Sequence, residues 1–265
     1  MFKQRLLTAL VLVPLVLVTI YYANYWTIAA VVLLLMTGCA LEWLQLIPIE
    51  RIAVKILFIL ALLAGCYLIQ SIYWYWLCVG LAVWGVIVIF VYQFPRSQVI
   101  WGHPLIVGFF CLLLLPLFAQ SLINIFLMEK GRGLFVYLLC LVWAADIGAY
   151  LAGKLWGEHK LILAVSPGKT FEGVAGGFLC SMMVALLGYY CFEPHSFLKW
   201  IVIAIVVTLI SLLGDLFISM LKRRSHIKDT GHLLPGHGGI LDRLDSLIAA
   251  ASFFYCGLFL LSPGL

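Results

Sequence analysis

Apolar runs of about twenty residues, the length a helix needs to cross a hydrocarbon layer of roughly 30 Å, recur along this chain from Arg5 to its C-terminal end. In hydrocarbon every backbone polar group must find its partner within the protein, so only helices or closed barrels can span. The runs here are continuous and do not alternate between apolar and polar residues, which selects helices over barrel strands. Hydrophobic residues make up 65% of the 265 positions and charged residues only 10%, against roughly a quarter charged in an ordinary soluble domain. A water-soluble fold is excluded.

The expectation is an all-α, polytopic integral membrane protein whose residues 1–265 form one membrane domain. Nine transmembrane helices fit the runs, at 5–22, 25–47, 53–71, 73–92, 104–126, 133–154, 172–192, 197–220 and 241–262. The first follows a short basic start, Lys3 and Arg5, as a secretory signal would. No small-x-small site precedes Tyr25, so it reads as a retained span. The third and fourth touch near Ser71, which predicts a tight helical hairpin with Trp74, Tyr75 and Trp76 at its tip as an interfacial anchor. The eight cysteines lie singly within apolar runs and read as packing residues, not as disulfides or zinc ligands.

With the N-terminus in the cytoplasm, 13 basic residues fall on the cytoplasmic side and 3 (Lys130, Arg132 and Lys199) on the other, accounting for all 16. The positive-inside bias therefore favours N-in and C-out. The net charge of +5 suits a chain that meets anionic lipid or an anionic substrate, although loop asymmetry alone produces such an excess in many membrane proteins.

Polarity is distributed unevenly. Residues 1–130 read as largely apolar scaffold, and within spans one to five Glu42 is the conspicuous acid; it reads as a snorkelling or helix-pairing residue. Residues 131–265 carry most of the acids and two polar loops, 155–171 and 221–240, and read as the catalytic half. A carboxylate inside a transmembrane helix costs about 2.5–3.5 kcal/mol on insertion scales, so each needs a partner, a cation or water. Asp146 lies in span six and Asp215 in span eight; Glu172 opens span seven, and Asp242 and Asp245 open span nine. All fall in the cytoplasmic third of their helices. A transporter would place ionisable groups near the midplane on broken helices, whereas an enzyme using a water-soluble substrate needs its polar site at one interface. The positions favour the enzyme.

The strongest signal runs from Lys222 to Asp245, KRRSHIKDTGHLLPGHGGILDRLD. Lys222, Arg223, Lys228 and Arg243 supply donors for phosphate, and Gly236, Gly238 and Gly239 permit close backbone approach. Asp215 and Asp242 supply the oxygen ligands that a phosphate-bridging divalent metal takes. Asp242 and Asp245, three apart, share a helix face. In a second loop, AVSPGKTFEGVAGG, Gly168, Lys169 and Thr170 mimic the tail of a P-loop, but Leu163 stands where that motif needs glycine and no strand is expected before it. What survives is a turn at Pro167 and Gly168, with Lys169 and a helix N-terminus open to an anion. His226, His232 and His237 match no zinc spacing; His237 reads as a phosphate or metal-water contact.

Ser219, Lys222, Arg223, Lys228, Asp229, Gly231, Pro235, His237, Gly238, Gly239, Asp242, Arg243 and Asp245 together resemble the long signature of the phosphatidate cytidylyltransferases, also called CDP-diglyceride synthetases. Gly214 with Asp215, the set Ser166, Pro167, Lys169, Thr170, Glu172 and Gly173, and Asp146 with Tyr150 match outside it. The second half of the chain carries the resemblance closely; the first half shares hydropathy and length. The resemblance implies a magnesium-dependent reaction of CTP with phosphatidate to give CDP-diacylglycerol and pyrophosphate in phospholipid biosynthesis. It implies a homodimer in a bacterial plasma (inner) membrane with the active site facing the cytoplasm, membrane lipid as a partner and no nucleic acid.

Under that resemblance Asp215, Asp242, Lys222, Arg223, Lys228 and Asp229 are the expected catalytic residues. Ser166, Lys169, Thr170, Glu172, Ser219, His237, Gly238, Gly239, Arg243 and Asp245 are expected to bind substrate. Asp215, Asp242 and Asp146 are expected to hold Mg2+, with a second cation such as K+ left open. A CTP-dependent polyprenol or other lipid kinase and an anion transporter are the competing readings.

Overall fold

The computed structural model describes residues 2–231 and 238–261. Each expected apolar run is helical over nearly all of its described residues. In chain order these are α1 (Phe2–Tyr22), α2 (Tyr25–Trp43), α3 (Ile52–Ile69), α4 (Tyr73–Tyr92), the short α5 (Gln98–Trp101), α6 (Pro104–Leu127) and α7 (Gly131–Trp156). Two strands follow, β1 (Lys160–Ile162) and β2 (Ser166–Thr170), then α8 (Phe171–Phe192), α9 (Phe197–Arg224) and α10 (Leu241–Leu261). Among the described residues seven helical segments are long and apolar enough to cross a bilayer. The protein is thus an all-α polytopic membrane protein in its architecture.

One of those segments, Ile52–Tyr92, contains both α3 and α4, and the chain doubles back within it. Along α3, Phe58 sits over Gly108 near the start of α6, and Cys66 accepts a hydrogen bond through its carbonyl from Gln120 near the end of α6 (3.0 Å). Along α4 the order reverses: the Tyr73 hydroxyl meets Ser121 at 2.8 Å, then Trp76 donates to the Leu113 carbonyl at 3.1 Å. The hairpin expected near Ser71 forms, with a 3-10 turn at Gln70–Ile72.

Helix α6 is the hub, buried along most of its length; α2, α3, α4, α7 and α10 all pack on it. Lipid tails are as apolar as leucine, so helices associate in a membrane by close packing and interhelical hydrogen bonds. Both occur here. Trp43 donates to the Val107 carbonyl (3.1 Å) and Trp200 to the Ala185 carbonyl (2.9 Å). Helices α7 and α8 approach through small residues: a side chain at Gly177 would strike the Ala145 carbonyl oxygen, and one at Gly148 would strike that of Gly176. The cysteines are all free.

The structure corrects the sequence reading of the two polar loops. Segment 155–171 holds an antiparallel β-hairpin, with Lys160 opposite Thr170 and Ile162 opposite Ser166. Its turn falls at residues 163–165, while Pro167 and Gly168 lie inside β2. Strands are therefore present, but Gly168, Lys169 and Thr170 belong to one instead of following one, and the P-loop stays excluded on geometry. In the second loop α9 continues past residue 220 to Arg224, so Lys222, Arg223 and Arg224 form the last helical turn, where cations complement the helix dipole.

The two ends of the helix assembly differ. Arg224 draws together the Gly102 carbonyl (2.6 Å) and the Leu46 carbonyl (2.9 Å), and Arg223 donates to Val165 in the hairpin turn (3.2 Å). At the opposite end Arg132 donates to Ala23 and Lys130 to Phe192.

Candidate functional site

At the end marked by Arg224 a cavity of about 480 Å³ opens between α7, β2, α8, α9 and α10. Helix α7 contributes Asp146 and Tyr150, β2 contributes Lys169 and Thr170, and α9 contributes Asp215 and Lys222. Asp229 enters from the connection after α9, and the first turns of α10 add Asp242, Arg243 and Asp245. The local sequence explains the placement. Thr170 ends β2 and caps α8, its hydroxyl accepting from the Gly173 N–H at 3.1 Å, which holds Lys169 at the rim. Gly214 lets α9 lie against the Asp245 carbonyl of α10, so Asp215 and Asp245 sit on facing helices.

The charges are arranged in pairs. Lys169 Nζ lies 2.6 Å from Asp215 Oδ2, and Lys222 Nζ lies 2.7 Å from Asp242 Oδ1. Ser219, one turn after Asp215, donates its hydroxyl to Asp215 Oδ1 at 3.2 Å. Asp242 is more heavily engaged, because its Oδ2 also accepts the N–H groups of Thr230 (2.8 Å) and Gly239 (3.1 Å). Asp245 Oδ1 accepts the Ser246 N–H at 2.7 Å. Asp146 lies within electrostatic range of Asp215, Lys169 and Arg243. Five carboxylates against the three cations Lys169, Lys222 and Arg243 give the described wall a formal excess of negative charge.

Asp146, Lys169, Thr170, Asp215, Lys222, Asp229, Asp242, Arg243 and Asp245 are thus brought together. Other expected site residues lie outside the cavity wall. Arg223 reaches the hairpin turn. Glu172 faces the hairpin base, pairing with His159 Nδ1 at 2.6 Å and accepting the N–H groups of Glu158 and His159 at 3.3 Å. Ser166 sits in β2 opposite Ile162, Ser219 acts on Asp215 from behind, and Lys228 is exposed. Gly238 has φ +81, a conformation glycine adopts without strain, and the Gly239 N–H is used by Asp242. His237 lies outside the described residues.

Of the two roles read for Glu42, helix pairing holds and snorkelling does not, because the side chain joins α2 to the start of α10. Glu42 is 1% exposed and accepts hydrogen bonds from the Thr230 hydroxyl (3.1 Å) and the N–H groups of Ile240 (2.9 Å) and Leu241 (2.8 Å). Its isolation among apolar spans was the available signal; the partners, far along the chain, were not. Arg224, which joins α9 to the Leu46 and Gly102 carbonyls, was likewise unassigned.

A model of the cytidylyltransferase family matches residues 3–261, nearly the whole chain, and the chain belongs to that family. It is 36% identical over 284 aligned positions to the phosphatidate cytidylyltransferase of Pseudomonas aeruginosa, covering 96% of each chain. The phosphatidate cytidylyltransferase of Haemophilus influenzae is 32% identical over 284 positions, covering 96% of this chain and 97% of that one. A Staphylococcus aureus protein of the same name reaches 44% over 122 positions, 45% of this chain and 46% of its own.

Proposed function

We propose that this protein transfers the cytidylyl group of CTP to phosphatidate, giving CDP-diacylglycerol and pyrophosphate, and that the cavity between α7, β2, α8, α9 and α10 is where it does so. The observation that carries this reading is the meeting of lysines and carboxylates from α7, β2, α9, α10 and the connection after α9 at one end of a helix bundle otherwise built for lipid. Membership of the cytidylyltransferase family, with relatives named for this reaction, supports it.

The chemistry asks for positioning and charge neutralisation more than for a base. A phosphate monoester oxygen of phosphatidate attacks the α-phosphorus of CTP, and the bond from that phosphorus to the oxygen bridging to the β-phosphate breaks. Pyrophosphate leaves with that oxygen. The nucleophile is already ionised at neutral pH, so the task is to hold two anions together. Lys169 and Lys222, at the rim and the floor, are placed to take phosphate oxygens, and Arg243 can do so bidentately. Asp215 and Asp242 orient those two ammonium groups.

A wall with more carboxylates than cations repels a triphosphate, which is why a divalent cation fits here. The donors are oxygens, as Mg2+ prefers. Among the described residues no three His, Cys, Asp or Glu side chains are grouped closely enough to hold an ion, so Mg2+ would have to draw part of its oxygen shell from substrate phosphates. Asp215 and Asp242, with Asp146 nearby, are the proposed ligands, and Mg2+ would supply charge neutralisation between the reacting phosphates. A second cation such as K+, nine spans with the N-terminus in the cytoplasm, a homodimer and a bacterial inner-membrane location with the cavity facing the cytoplasm complete the proposal.

The test uses purified protein, phosphatidate, Mg2+ and CTP labelled in the base. Label is expected in lipid, with one pyrophosphate released per lipid formed, and EDTA is expected to stop turnover until Mg2+ is restored. Transfer of the γ-phosphate alone would make the protein a lipid kinase; vesicle uptake of an anion without CTP consumption would make it a transporter.

A further inference from the structure

We propose that Glu42, on α2 in the apolar half of the chain, is a positioning residue for this cavity: it fastens the connection between α9 and α10 at Thr230 and again where it enters α10, and thereby sets the first turn of α10, which carries Asp242, Arg243 and Asp245. The inference rests on the reading of the cavity as the site of cytidylyl transfer.

A carboxylate buried at membrane depth persists only where donors satisfy it. Glu42 has them. Within the connection, Glu42 Oε2 takes the Thr230 hydroxyl; where the connection enters α10, Oε2 takes the Leu241 N–H and Oε1 the Ile240 N–H. These partners lie 188 to 199 positions away in sequence, so this is a tertiary clamp and not a local cap. The first N–H groups of a helix have no acceptor within it and form the positive end of its dipole. Glu42 supplies α10 with both an acceptor and a complementary charge.

Asp242 grips the same two points from inside the cavity. Its Oδ2 accepts the Thr230 and Gly239 N–H groups, so Thr230 is held through its hydroxyl by Glu42 and through its amide by Asp242. The successive N–H groups of Gly239, Ile240 and Leu241 are divided between the same two carboxylates. Gly231 and Gly239 complete the fit, because a methyl group on either would run into the Glu42 carboxylate. Asp242 can present Oδ1 to Lys222 only while its Oδ2 partners stay in place. Loss of Glu42 would therefore reach the cavity without touching any group that lines it.

The test compares full-length Glu42→Gln with wild type. Glutamine keeps the shape but sets an NH2 group against a donor. Four quantities are read: tryptic cleavage after the exposed Lys228 without substrates, kcat, KM for CTP, and the unfolding midpoint in detergent. Cleavage is expected to be about tenfold faster as the connection opens locally, and kcat to fall by about ten- to a hundredfold through misalignment, more than KM rises. Thr230→Val, which removes one hydroxyl, is expected to move cleavage and kcat in the same directions by a smaller factor, and it decides the matter if Glu42→Gln does not fold. Glu50→Gln, an exposed acid in the connection after α2, should leave both unchanged. Unaltered cleavage in Glu42→Gln and Thr230→Val overturns the clamp, and faster cleavage with wild-type kcat overturns its role in positioning. If the wild type makes no cytidylylated lipid, the reaction assignment fails, while the cleavage comparison still reports on the clamp.

Discussion

Asp215 is held by a lysine from a strand 46 residues earlier in the chain and by a serine one helical turn later, so its carboxylate has a fixed direction before any substrate arrives. Asp215→Asn keeps the volume but gives up the charge. Turnover is expected to fall by about a hundredfold or more, with the purified protein still eluting as a folded species; near-normal turnover would remove Asp215 from the site. Lys222 and Asp242 form the more buried pair, with side chains 11% and 9% exposed. Breaking such a pair from one side leaves an uncompensated charge and typically costs about 3–5 kcal/mol, so Lys222→Met should lower the thermal midpoint as well as activity, and an unchanged midpoint would show the pair to be dispensable for the fold. At this scale the sequence singled out the charged side chains that meet at the cavity, together with some that do not, because lysine and aspartate are expensive at membrane depth and stand out. It did not announce who holds whom. The bond from Thr230 to Glu42 depends on packing between helices, and no spacing within either segment encodes it.

Among the elements, the helices were legible because their apolar runs are long, whereas the β-hairpin was not. Its strands are three and five residues long, too short to show a period of two, and Pro167 suggested a turn where an edge strand in fact tolerates it. The hairpin carries Lys169 to the rim, and Glu172 fastens its base to α8 through His159 and two N–H groups. Glu172→Gln is therefore expected to raise KM for CTP by about three- to tenfold with a smaller loss of kcat, on the scale of a charged hydrogen bond; a pure kcat defect would place Glu172 at the reacting atoms instead. The seam between α7 and α8 makes a separate demand. Any side chain at Gly177 meets the Ala145 carbonyl, so Gly177→Val should force the helices apart and destabilise by about 1–3 kcal/mol, read as a lower midpoint with Asp146 displaced from Lys169. A midpoint equal to wild type would mean that the seam yields freely.

Across the whole molecule, one end gathers Leu46, Gly102, Val165, Arg224 and Leu241, and the other gathers Ala23, Lys130, Arg132 and Phe192. That sorting agrees with the basic-residue bias of the sequence. Trypsin should accordingly cut after Lys228 in inverted membrane vesicles and spare it in right-side-out ones; the reverse pattern would turn the topology over. The sequence divides the chain into an apolar scaffold and a polar half, and Glu42 joins the two. The end of α9 has a consequence for how such a chain can vary. Lys222, Arg223 and Arg224 are consecutive, yet they serve the cavity, the hairpin turn and the scaffold carbonyls in turn, since each step along a helix rotates by about 100°. A single residue inserted between Asp215 and Lys222 would swing all three out of phase together, so that stretch of helix is locked in length even where its individual side chains are free to differ.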